Sequence, residues 1–172
     1  EEETTNHTDA KTPPTLLVSA DWGAEQLGTY RWKVYAKKDN PGVGSFNRIA
    51  QFSGTYSAVV DEAVTHSAYI VNRTNNSLFI EALGFGDIEG YGGSDNRIWR
   101  TIAHTAAWTH RQNVRCTDPT QIKAGDYITV DMPQMEAKTF CTAFCDNTRL
   151  PSILPYPANK INLDHTTWHF DW

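Results

Sequence analysis

No apolar run in the 172 residues approaches the roughly 18 that a membrane-spanning helix needs. Basic residues are scarce and scattered: 15 Lys and Arg face 20 Asp and Glu, for a formal charge of −5. Lys37-Lys38 is the only adjacent basic pair. That balance argues against the basic stripe of a nucleic-acid interface. Cysteine is limited to Cys116, Cys141 and Cys145. Three thiols are accounted for by one disulfide plus a spare or intermolecular thiol in an oxidising compartment, or by three reduced thiols in the cytosol. Phosphate-cradling, nucleophile-elbow and metalloprotease motifs are missing too. The glycines of GFGDIEG (84–90) have the wrong spacing for a dinucleotide fingerprint.

What the chain does have is apolar and aromatic mass. Forty per cent of residues are hydrophobic and 12% aromatic, with six Trp, which argues for a packed core and against disorder. The length fits one domain. We read residues 1–13 as a flexible polar lead ending at Pro13-Pro14, and 14–172 as the domain. Asn6, Asn72 and Asn75 each begin an Asn-x-Ser/Thr acceptor for N-glycosylation. With the odd cysteine count, they favour an extracellular chain: a secreted protein, or the ectodomain of a membrane-anchored one.

Short strand-like runs dominate, among them TLLVSA (15–20), YRWKVYA (30–36), RIAQF (48–52), TYSAVV (55–60), SAYIV (67–71), SLFIEAL (77–83), YITVDM (127–132) and TTWHFDW (166–172). Turn clusters separate them, at Asp39 to Gly42, Asn72 to Asn76 and Gly90 to Asn96. Tyr30, Trp32, Val34 and Ala36 alternate with Arg31, Lys33 and Tyr35, as in a strand with one buried face. The expected fold is all-β: an antiparallel, jelly-roll-like sandwich. Residues 94–113 open with cap-type residues and space Ile98, Trp99, Ile102, Ala106 and Trp108 near a helical period, but Thr101, Thr105 and Thr109 weaken helix propensity. The segment reads as a short helix or as a strand pair.

In order, TLLVSADW, Trp32, Gly42-Val43, NRIAQF, Gly54-Thr55-Tyr56, QIKAGDYITVDM and HTTWHFDW resemble the tumour necrosis factor ligand domain, a jelly roll shared with the complement-type globular heads. The resemblance spans most of residues 14–172. It departs from the family in lacking an aromatic-Gly pair in the last strand, and in the roughly 35 residues, CTAFC included, that precede it. It implies a homotrimer that engages a cell-surface receptor through exposed loops. By that analogy Asn40, Asp87, Tyr91 and Arg97 are binding candidates.

Two other readings compete. His66, Glu81, Arg97 and His104 fall in an order that resembles fungal guanyl-type ribonucleases: Glu as base, His as acid and Arg on the phosphorane charge. Against this, Arg97 and His104 are too close in sequence for the intervening hairpin of that family, and these residues can equally be ordinary surface or core groups. Alternatively, Trp22, Trp32, Trp99 or Trp108 could stack a sugar ring in a carbohydrate-binding or host-attachment head, although cores also use Trp. Cys141-Thr-Ala-Phe-Cys145 supplies two thiols where zinc takes four ligands, even with His104, His110, His165 and His169 in the chain. Asp87 and Glu89 could hold calcium but more commonly form a solvated turn. No metal or cofactor is expected. For Cys116, pairing with Cys141 or Cys145 is open.

Overall fold

The computed structural model describes residues 14, 16–17, 19–82, 97–103, 105–141 and 144. They form eleven strands: β1 Leu16–Leu17, β2 Trp22–Gly28, β3 Arg31–Ala36, β4 Arg48–Gln51, β5 Tyr56–Ala58, β6 Ala63–Arg73, β7 Leu78–Ala82, β8 Arg97–Ala103, β9 Trp108–His110, β10 Gln112–Cys116 and β11 Tyr127–Glu136. Five make one antiparallel sheet, in the order β2-β3-β11-β6-β8, and four make a second, β1-β4-β10-β7. Strands β5 and β9 pair as a separate ribbon.

From β3 onward, successive strands of the two main sheets alternate between them. The long-range pairs are nested: β3 with β11 outermost, β4 with β10 inside it, β6 with β8 innermost. Nested pairing of this kind is what a long hairpin gives when it is wound around a barrel axis, and it yields a jelly-roll-like sandwich. The fold class expected from the alternating runs is therefore observed.

Trp22, Trp32, Val34, Ala68, Ile102, Ile128 and Val130 from the five-stranded sheet face Ile49, Ala50, Leu78, Ile80, Val114 and Cys116 from the other. Each large side chain so buried contributes on the order of 1.5–3 kcal/mol. Strand β3 alternates as its sequence predicts, with Trp32, Val34 and Ala36 buried and Arg31 exposed. The indole N–H of Trp22 donates to the Gly42 carbonyl at 2.6 Å, and Asp21 accepts from Gly42 N–H at 2.9 Å, which ties the Gly42-Val43 turn to the core.

Residues 97–103, 108–110 and 112–116 are strands. Ile98, Arg100 and Ile102 register against Ala68, His66 and Val64 of β6, so the apolar spacing that imitates a helix serves a period of two. TTWHFDW lies outside the described residues.

The Lys123-Ala-Gly125-Asp126 turn closes one end of the sandwich. Gly125 takes φ +91°, a left-handed conformation that glycine adopts without a Cβ penalty. Asp126 accepts from Lys123 N–H at 2.8 Å and from Thr74 Oγ1 at 2.8 Å, and Asp39 accepts from Ala124 N–H at 2.9 Å. Three turns, around residues 39, 74 and 125, are thus locked together. Burial raises the Asp126 pKa, but the Lys123, Thr74 and Asn75 hydrogen bonds outweigh it and hold the carboxyl below its ordinary value.

Cys116 and Cys141 are not bridged to each other. Cys116 registers against Leu78 at the Lys123–Asp126 end, whereas the segment leading to Cys141 bonds Thr65 and Thr101 through the Lys138 and Thr139 carbonyls. Thr65 and Arg73 stand eight residues apart along β6, or ~26 Å of strand, and a disulfide needs Cα atoms within ~7 Å. Cys145 lies outside the described residues.

Candidate binding site

The end of the sandwich remote from Lys123–Asp126 is built by β5, β9 and the turn between β5 and β6. Tyr56, Ser57 and Ala58 register against His110, Thr109 and Trp108. The turn is closed by Glu62, whose Oε2 accepts from Val59 N–H at 3.0 Å and whose Oε1 accepts a short hydrogen bond from the Tyr56 hydroxyl. Burial, then the Glu62 hydrogen bond and charge, push the Tyr56 phenol up to about 12. With Glu62 bonded in this way, the two residues that follow β5 project outward: Val59 is 64% exposed and Val60 54%.

Beneath this ribbon, His66 Nε2 and His110 Nδ1 lie 2.8 Å apart, both rings fully buried. Gln112 Nε2 donates to the Ser67 carbonyl at 3.0 Å beside them. A small apolar cluster of Ala58, Val64 and Met135, with Tyr56 against it, fills the space below. The ribbon is anchored on its inner side by polar bonds and offers its other side to solvent.

The ribbon borders a shallow depression of about 460 Å³ lined by Ser57, Ala58, Ala107, Trp108, Thr109 and Arg111. Trp108 is 45% exposed there, whereas Trp22 and Trp32 are core residues and Trp99 is half-buried. Among the four Trp residues considered for sugar stacking, burial therefore singles out Trp108. The Ser57 and Thr109 hydroxyls stand 3.4 Å apart on the ribbon. Arg111 makes no hydrogen bond or ion pair among the described residues, and its Nε is buried without an acceptor. Arg111 carries no motif, so sequence reading passed over it; its only signal was proximity to Trp108.

The other candidates disperse. His66 faces the interior, on the same side of β6 as Val64 and Ala68. Glu81 alternates with the core residue Ile80, so it sits on the opposite face of the four-stranded sheet, 2% exposed. There it accepts from Arg115 Nη1 at 2.6 Å, with Arg48 Nε 3.9 Å away. Arg97 donates to Ser67 Oγ at 2.9 Å and lies over the Tyr69 ring on the outer face of the five-stranded sheet. His104 lies outside the described residues. His66, Glu81 and Arg97 thus occupy three different faces and are not gathered around one phosphate.

Asn40, with φ +50°, and the sequon residues Asn72 and Asn75 sit at the Lys123–Asp126 end. Asp87, Tyr91 and Asn6 lie outside the described residues. No group of three His, Cys, Asp or Glu placed to hold a metal ion occurs among the described residues, and no helix there is long and apolar enough to cross a membrane. Comparison with protein-family models and with curated proteins finds no match to this chain.

Proposed function

We propose that this chain is the binding head of a secreted or membrane-anchored glycoprotein, assembled as a homotrimer and engaging a cell-surface partner. The observation that carries the reading is polarity between the two ends of the sandwich. One end holds the Asn72 and Asn75 sequons among locked turns; the other displays Val59, Val60 and Trp108. Glycans at the first end would shield it and leave the second open. The partner is therefore assigned to the β5–β9 end, and the Asp39 to Gly42 turn with Asn40 to the shielded one. The nested strand pairing supports the jelly-roll analogy on which the trimer rests.

The two sequons are not equivalent acceptors. Asn75 Nδ2 donates to both the Gln121 carbonyl, at 3.0 Å, and Asp126, at 3.3 Å, and modification would remove one of those N–H groups. Asn72 Nδ2 makes one bond, to the Tyr127 hydroxyl at 3.0 Å, and keeps a second hydrogen for the glycan. Asn72 is the expected site.

The solution mass of deglycosylated protein tests the assembly: three times 19.3 kDa is expected, and a monomer overturns the trimer. Binding to cells tests the polarity. Val60→Asp should abolish it and Asn40→Ala should leave it unchanged; the reverse pattern overturns the assignment.

A further inference from the structure

We infer that the Val59–Glu62 turn is the contact element of the β5–β9 end, and that its partner is a protein with an arginine at the edge of an apolar pocket. The inference rests on the β5–β9 end being the binding end and is independent of the trimer.

The turn is built to hold its two central residues outward. Glu62 N–H donates to the Val59 carbonyl at 3.2 Å, which makes Val60 and Asp61 the middle of a β-turn. The Glu62 carboxylate then fixes the shoulders, accepting from Val59 N–H at 3.0 Å and from the Tyr56 hydroxyl. Asp61 takes φ +64°, a left-handed conformation that Gly or Asn fills most readily at the third position of a turn. Its side chain is exposed and, unlike that of Glu62, makes no hydrogen bond or ion pair among the described residues.

Nothing in the packing calls for this apex. Val59 and Val60 leave 64% and 54% of their surface in water, and the carboxylate between them and Glu62 is uncompensated. Residues that break a local rule with no structural return mark sites kept for another purpose. A turn already closed by Glu62 also loses little freedom on docking, so its contacts are not spent on ordering it.

The chemistry of the apex selects the partner. A bilayer would have to take in the Asp61 charge together with the valines, which is unfavourable. A polyanionic glycan would be repelled by Asp61, and a neutral sugar finds no flat aromatic face on two valines. An ammonium is strongly hydrated and gains nothing from flanking methyl groups. A guanidinium is planar and weakly hydrated, so it lies against the methyls while its fork takes the carboxylate through two parallel hydrogen bonds. The valines then fill the apolar pocket beside it.

The test is saturable binding of the labelled full chain to the cells on which Val60→Asp is measured. Asp61→Asn preserves the turn, because Asn adopts a positive φ readily, and removes only the charge. It should weaken binding about tenfold or more. Val60→Thr, nearly the same shape with a hydroxyl for a methyl, should weaken it too. Both positions are exposed, and an unchanged melting temperature confirms that the variants fold. Digesting the cell surface with proteinase K, or blocking its arginines with a dicarbonyl reagent, should each abolish binding, whereas EDTA should leave it intact. Parent-like binding by Asp61→Asn overturns the inference, as does binding that survives either treatment of the cells or fails in EDTA. If Val60→Asp abolishes binding and Asp61→Asn does not, the partner chemistry falls and the binding end stands. If Val60→Asp binds as the parent does, the assignment of this end falls and the inference with it.

Discussion

His66 and His110 are 44 residues apart in sequence and share one hydrogen bond of 2.8 Å, which fastens the β5–β9 ribbon to the five-stranded sheet. One ring donates and the other accepts, so the bond couples the tautomers of two buried imidazoles. It also sets where Trp108 and Arg111 emerge, because both flank His110 within two residues.

His110→Ala should destabilise the fold by about 1–3 kcal/mol, because a buried nitrogen of His66 then loses this bond without regaining water. Replacing both histidines by Leu should cost less than the sum of the two single replacements, with a coupling of about 0.5–3 kcal/mol in urea unfolding. Strict additivity would show that the bond contributes nothing.

Glu81 accepts from Arg115 while almost fully buried, so Glu81→Ala leaves a guanidinium partly desolvated and unpaired. The expected loss is about 3 kcal/mol, the lower end of the range for a broken buried pair because Arg115 retains some solvent. A variant as stable as the parent would remove the ion pair from the account of the fold.

Acid should act first on the locked turns. Backbone N–H and Lys123 bonds lower the Asp39 pKa, and hydrogen bonds lower that of Asp126 against the effect of its burial. Both carboxyls thus titrate lower in the folded chain than in the unfolded one. Their stabilisation is complete above the unfolded value of about 4 and is lost as pH falls through the folded values. Asp126→Asn should flatten the acid limb of the melting temperature against pH; an unchanged limb contradicts the role assigned to this turn.

The two described thiols should differ sharply in reactivity. Burial raises the Cys116 thiol to about 11, and it has no exposed surface, whereas Cys141 is partly exposed. Alkylation at pH 8 followed by peptide mass mapping should modify Cys141 first and Cys116 only on unfolding. Simultaneous modification of both would contradict the core position of Cys116.

The strands with one buried face were legible because alternation is a local property. Trp32, Val34 and Ala36 declare a buried face whatever lies against it, and Lys123–Asp126 declares a reversal. The segment around Ile98 and Ile102 was ambiguous because period 2 and period 3.6 coincide at short spacings; pairing with Val64 and Ala68 removes the ambiguity. TYSAVV (55–60) reads as one strand but holds only β5, because Glu62 closes a turn that carries Val59 and Val60 into solvent.

The sequence by itself determined the fold class, since the alternation of apolar residues and the placing of turn formers are written along the chain. It could not determine which Trp is core and which is surface. Trp22 and Trp108 are the same residue type in similar polar company, and only the packing of distant strands buries one and leaves the other half-exposed. Nor could spacing show that Cys116 and Cys141 occupy opposite ends, or that His66 belongs with His110 and not with Glu81. Those relations depend on the winding of the two sheets, where residues 40 to 100 apart in sequence become neighbours and residues close in sequence are carried to opposite faces.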